Sequence, residues 1–194
     1  MIWFFTIPNH SPNRHKMNAL QIIMNSAKNR ETEFSIIKGA PSTPENACHL
    51  LQFDGLSEPN PGISTGGAVV FAPETRRPLF ERGEFIDFAT NNQAEYMGLL
   101  IGVKKASEMG IKHLLIEGDS QLVINQVAGK WKVKNETLRA LHKELEYEWP
   151  QFDFVAIRHV YRNNNKYADK ITNDVLQTRQ SYFRMLSTDN SYTF

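Results

Sequence analysis

The chain has 194 residues, 22 Lys+Arg against 21 Asp+Glu, 41% hydrophobic residues and one cysteine. That length suits one ordinary domain with flanking segments, and the hydrophobic fraction argues against wholesale disorder. Lone Cys48 excludes a disulfide framework and a cysteine-rich zinc site, and a formal charge of +1 argues on its face against a polyanionic partner.

Taken in chain order, Met1–Ile7 is apolar but lacks a basic flank and stops at Pro8, which makes a poor signal peptide. No stretch reaches the roughly 18 apolar residues of a membrane span. An intracellular location is expected, with cytoplasm or nucleus left open. Residues 1–46 carry scattered Asn, Ser and Pro, one plausible helix (Asn18 to Lys28) and a linker at Pro41-Ser42-Thr43-Pro44. Met17 is a second candidate start. Leu50 to Asp54 reads as a buried strand ended by Gly55. Gly66–Phe71 and Leu79–Phe88 supply two more strands with a short turn between them, which predicts an antiparallel meander.

A helix then opens at Thr90, with Gln93 three residues on as a capping box and Gly110 placed to end it. A strand at His113–Glu117 follows, then a short helix with Val123 and Val127 inward, closed by Gly129. A third helix spans about Asn135 to Trp149, with Leu138, Leu141 and Leu145 on one face. Phe152–Val160 is a last strand, and Asn164 to about Thr178 a last helix. The order βββαβααβα predicts an α/β fold around a five-stranded mixed sheet, antiparallel over its first three strands and parallel thereafter.

Four acids occupy informative places: Asp54 at the end of the first strand, Glu95 in the first turn of the first helix, Asp119 leaving the fourth strand, and Asp169 opening the last helix. Read alone, each has a bland explanation: an Asp after a strand is a turn former, and an acid early in a helix serves the macrodipole. Taken together they could converge, because α/β folds build sites at strand ends and helix starts. Divalent cations such as Mg²⁺ need such oxygen ligands.

The contexts of these acids, in order, resemble those of the type 1 ribonuclease H family in its compact archaeal and plant-like form. Phe53-Asp54-Gly55 with Asn60-Pro61-Gly62 and Gly66-Gly67-Ala68 is similar to that family's first hairpin. Thr90-Asn91-Asn92-Gln93-Ala94-Glu95-Tyr96 resembles its first helix start, and Gly118-Asp119-Ser120-Gln121-Leu122-Val123 its next acidic turn. Lys132-Val133-Lys134-Asn135 and the closing Asn165-Lys166-Tyr167-Ala168-Asp169 also recur in that form. The resemblance spans about residues 48–177. It implies a ribonuclease H-like catalytic domain at 47–180, an N-terminal extension at 1–46 and a C-terminal tail at 181–194.

The resemblance further implies that Asp54, Glu95, Asp119 and Asp169 bind two Mg²⁺ ions, with Mn²⁺ as a substitute. The expected activity is cleavage of the RNA strand of an RNA–DNA hybrid by a protein that is a monomer. His159, ten residues before Asp169, matches the family's auxiliary histidine, while His10, His15, His49, His113 and His142 show no ligand pairing. Asn60, Thr90, Asn91, Asn92, Gln93 and Gln121 are candidate contacts to 2′-hydroxyls and phosphates, although loop and cap chemistry also favours Asn and Gln. Lys132 and Lys134 flank Trp131 in a segment that could track a backbone or form a solvated loop around a buried Trp.

Departures from the family are Tyr161-Arg162-Asn163-Asn164 after His159, the unhelpful charge of Glu58, and the lack of the basic helix of longer bacterial members. Rival functions are a same-fold nuclease preferring another duplex such as double-stranded RNA, and an inactive nucleic-acid-binding module. Within residues 47–174 acids slightly outnumber bases, and setting the four site acids aside reverses the balance. The overall charge is therefore a sum over a negative pocket and a mildly basic surround, which predicts a modest, salt-sensitive grip on nucleic acid.

Overall fold

A computed structural model describes residues 33–42 and 44–186. The expected helix at Asn18–Lys28 and residues 187–194 lie outside them. Seven strands form one sheet: β1 (Ser35–Lys38), β2 (His49–Glu58), β3 (Gly62–Phe71), β4 (Pro78–Ala89), β5 (His113–Gly118), β6 (Phe154–His159) and β7 (Tyr182–Met185). Their spatial order is β1-β6-β5-β2-β3-β4-β7. Pairing is antiparallel for β2–β3 and β3–β4, and parallel for β2–β5 and β5–β6, as the chain order predicts.

Two expectations need correction. The sheet has seven strands rather than five, because β1 pairs antiparallel with β6 and β7 antiparallel with β4. Both added strands are four residues long, too short for a period-2 pattern to stand out. In addition, Gly55 does not end β2, which pairs with β3 from Leu50 through Glu58. Gly55 is an interior position where another backbone comes close.

Among the described residues there are four α-helices: α1 (Asn91–Glu108), α2 (Gln121–Val127), α3 (Glu136–Glu148) and α4 (Lys166–Thr178). Thr90 and Gln93 make the reciprocal capping box, and Gly110 takes a positive φ of 71° just past the helix end. Ser120 and Asn135 cap α2 and α3 through their side chains. Helices α1, α2 and α3 cover one sheet face, where Leu51, Phe53, Leu114, Ile116, Val155 and Ile157 meet Leu99, Val103, Val123 and Leu145. Helix α4 covers part of the other face, with Ile171 against Val69 and Phe71. No helix among the described residues is long and apolar enough to cross a membrane.

Beside α4 the second face is closed by residues just before β1 and at the start of β2. Phe34, Cys48 and Leu50 pack on Leu115, Phe154 and Ala156. Under this segment lies a buried ionic cluster: Arg158, 2% exposed, donates to Glu117 and to Glu45 Oε1, and its guanidinium sits 4.1 Å from the Phe34 ring centroid. Gln52 Nε2 donates both to Glu117 Oε2 (3.1 Å) and to the Asn164 carbonyl (3.0 Å), linking the cluster to the turn before α4. Removing one partner of a buried ion pair strands the others without compensation, at about 3–5 kcal/mol. Arg158→Met is therefore expected to lower stability in urea unfolding by about that amount. Arg158→Lys should fall between, since a point ammonium cannot reproduce the guanidinium fork. Wild-type stability in Arg158→Met would refute the cluster's role.

Candidate active site

Strand β2 carries Asp54 in its interior, paired opposite Gly67 of β3 rather than at a strand end. Helix α1 begins just after β4 behind the predicted Thr90 cap, and Glu95 is its fifth residue, one position past the first turn. The two meet because no side chain separates their backbones. A Cβ on Gly55 would collide with the Ala94 and Glu95 main chain, and one on Gly98 would collide with the Asp54 carbonyl. Asp119 follows the last residue of β5 and precedes the Ser120 cap of α2. Asp169 lies in the first turn of α4.

Asp54, Glu95 and Asp119 each offer a carboxylate oxygen within 4.8 Å of the others, so the structure assembles three of the four expected acids. Asp169 stands outside that group, its Oδ1 accepting from Arg162, an exposed residue of the turn before α4. It remains close enough for its charge to raise the Asp54 pKa.

Burial is the main reason that Asp54 is pushed up to about 6, with the negative charges of Asp119 and Asp169 adding to it and the Thr172 hydroxyl and Gly55 amide opposing it. Glu95 is pushed well up for the same first reason, then by Asp54 and Asp119, with Arg162 and the Gly55 amide opposing. Glu95 Oε2 is buried without a hydrogen-bond partner. An orphaned carboxylate oxygen in an all-oxygen donor set is what a hard divalent cation requires, so these residues fit a metal centre.

Three neighbours that sequence reasoning left without a role hold this centre. Asn165, fully buried, donates from Nδ2 to Asp119 Oδ1 and to the Phe53 carbonyl, both at 2.8 Å. Arg162 pairs with Asp169. Thr172 Oγ1 lies 2.6 Å from Asp54 Oδ2. The available signal was spacing: Asn165 and Thr172 sit four residues before and three after Asp169, on its side of the helix start. His159 Nε2 is 3.1 Å from the Asp119 carbonyl, a placement that makes this nitrogen the donor, and its ring meets Tyr161 edge-on at 5.8 Å.

The candidate nucleic-acid contacts divide into two groups. Asn60 Oδ1 accepts from Asn91 N, Asn91 Oδ1 accepts from Ser57 N, and the Thr90 and Gln93 side chains are engaged in the capping box. Their oxygens thus build the loop, leaving the side-chain amide nitrogens of Asn60, Asn91 and Gln93 and the Thr90 hydroxyl proton for a ligand. Asn92, Gln121, Lys132 and Lys134 are exposed. Trp131, at 49% exposure, is not the buried anchor of its loop that one alternative required.

A raised carboxyl pKa means that the folded state holds its proton more tightly than the unfolded chain. For Asp54 the associated stability is present below its ordinary value of 3.8 and lost as pH rises through about 6. Asp54→Asn is therefore expected to stabilise the protein in EDTA at pH 7.5 by about 1–3 kcal/mol, with the gain vanishing near pH 4. Urea unfolding across that range measures this, and an equal or lower stability of the variant at pH 7.5 would refute it.

A family model described as "Reverse transcriptase-like" matches residues 52–175. The bifunctional protein Rv2228c of Mycobacterium tuberculosis is 37% identical over 127 residues, covering 66% of this chain and 35% of that protein. Ribonuclease HI of Halobacterium salinarum is 36% identical over 124 residues, covering 64% of this chain and 62% of that one. The chain thus spans about a third of the mycobacterial relative and under two thirds of the haloarchaeal one. Among solved structures, the N-terminal RNase H domain of Rv2228c superposes with a TM-score of 0.66 at 36% identity, over 68% of this chain and 95% of the other. RNase H1 of Halobacterium salinarum gives 0.64 at 35% identity, over 67% and 98%. LC11-RNase H1, solved in complex with an RNA/DNA hybrid, gives 0.63 at 25% identity, over 68% and 98%. With its fold, its ordered motifs and these matches in agreement, the chain belongs to the type 1 ribonuclease H family.

Proposed function

We propose that this protein is a ribonuclease H that cleaves the RNA strand of RNA–DNA hybrids, with Asp54, Glu95, Asp119 and Asp169 holding two Mg²⁺ ions, or Mn²⁺ in their place. The observation that carries the proposal is the convergence of three carboxylates within 4.8 Å of one another, one of which, Glu95, keeps a buried oxygen without a hydrogen-bond partner. The hybrid bound to LC11-RNase H1 supports the substrate class. The catalytic unit is assigned to residues 47–180, flanked by an extension at 1–46 and a tail at 181–194 that contribute β1 and β7.

Bound divalent ions would supply an activated water and charge stabilisation at the leaving 3′ oxygen. The chain's own groups do the rest. The carboxylates gather positive charge at one point of the surface, and Asn165 fixes Asp119 so that it faces that point. His159, held against the Asp119 carbonyl at the rim, is placed to take or give a proton at the scissile phosphate. Amide nitrogens of Asn60, Asn91, Asn92, Gln93 and Gln121 are donors suited to 2′-hydroxyls, the groups that distinguish RNA from DNA. Thr90 can face a DNA phosphate, and Lys132 and Lys134 can follow the backbone beyond it.

The test is incubation with labelled hybrid, duplex RNA and duplex DNA in Mg²⁺ or Mn²⁺. Cleavage of the hybrid's RNA strand is expected, abolished to roughly a thousandth or less in Asp119→Asn and Glu95→Gln. His159→Ala should slow turnover by about 10²-fold or less without abolishing it. Cleavage of duplex RNA in preference to hybrid, or no cleavage of any duplex, would overturn the proposal.

A further inference from the structure

We propose that Thr172 is a positioning residue of the carboxylate centre, its hydroxyl setting the orientation of the Asp54 carboxylate. The inference rests on the metal-dependent reading above. Thr172 lies on α4 three residues after Asp169 and is fully buried. Its Oγ1 is 2.6 Å from Asp54 Oδ2 and 2.9 Å from the Asp169 main-chain carbonyl, so one side chain touches two of the four acidic residues, which come from different elements.

A threonine inside a helix usually turns its hydroxyl only to a carbonyl one turn back. Here two other contacts fix the rotamer so that it also reaches across to β2. The γ-methyl faces Gly67 of β3 so closely that a Cβ there would approach it to 2.9 Å. The Thr172 carbonyl accepts from Thr65 Oγ1 at 3.1 Å, tying this turn of α4 to the same strand. With its branched β-carbon stiff about χ1, Thr172 then presents its oxygen to Asp54.

The hydroxyl carries one proton, and the short distance to Asp54 matches a charge-assisted O–H···O⁻ bond in which Thr172 donates. Holding Oδ2 removes the carboxylate's freedom to rotate about χ2. Asp54 is pressed by the like charges of Asp119 and Asp169, so without the Thr172 donor no side chain of α4 would resist that rotation. Groups that orient metal-ligating carboxylates in this way typically govern affinity by about 10–100-fold.

The substitutions separate the hydroxyl from the methyl. Thr172→Val keeps the branched shape over Gly67 and removes the donor. Thr172→Ser keeps the donor and removes the methyl. Full-length wild type and both variants would be titrated with Mn²⁺ by calorimetry in the absence of nucleic acid, then melted in EDTA, and kcat and KM measured separately on a hybrid. Thr172→Val is expected to weaken Mn²⁺ binding about 10–100-fold and to lower kcat comparably, with KM little changed, while Thr172→Ser stays within about threefold of wild type.

Wild-type Mn²⁺ affinity in Thr172→Val would overturn the proposal. So would a Thr172→Ser as impaired as Thr172→Val, which would assign the effect to methyl packing. Should Thr172→Val fail to fold, Thr172→Ala replaces it and the same comparison with serine decides. If wild type binds Mn²⁺ but cleaves no duplex, the proposed function fails while the affinity comparison still judges Thr172.

Discussion

The approach of α1 to β2, backbone against backbone at Gly55 and Gly98, is the constraint on which the site depends. No other pair of residues at these positions would let the Glu95 main chain lie on Gly55 and the Asp54 carbonyl on Gly98. The contact sets two acids from different elements side by side and buries both, at 8% exposure for Asp54 and 6% for Glu95. Burial of like charges is unfavourable, so the fold spends stability to build this point. The large apolar layer beneath α1, formed by Leu51, Phe53, Leu99 and Val103, is what makes that affordable.

The compensating donors come mostly from one place. Arg162, Asn165 and Thr172 all belong to α4 or the turn that leads into it, and they serve Asp169, Asp119 and Asp54 in that order. Glu95 keeps a buried oxygen, Oε2, without a hydrogen-bond partner. The turn before α4 is in its own right fastened to the sheet, through Gln52 to the Glu117–Arg158–Glu45 cluster. A chain of polar contacts therefore runs from beneath the segment before β2 to the acids carried by the central strands and the helices beside them. The residues preceding β2 thus take part in the architecture around the site.

Much of this was legible in the sequence because it is written locally. The Thr90–Gln93 capping box, the glycine after α1 and the start of α3 near Asn135 are short-range signals, and each is found where the pattern places it. The order of motifs was enough to nominate the four acids. What was not legible depends on contacts across the fold. Gly55 looks like a strand terminator until α1 is seen lying on it, and Arg162 looks like a loop residue until Asp169 turns towards it. Strands β1 and β7 exist only through pairing with distant partners, β6 and β4. Trp131 could not be assigned inside or outside from three flanking lysines.

The two short outer strands carry a consequence for how the molecule can be handled. They are the sheet's margins, and Ile36, Phe183 and Met185 on them are more than half exposed. A fragment trimmed to the family-matched stretch, residues 52–175, would lose both. It would bare the hydrogen-bonding groups of β6 and β4, longer strands from the interior of the sheet, as fresh unpaired margins. Such margins template pairing with other chains, so the shortened protein would be prone to self-association even with every acid in place.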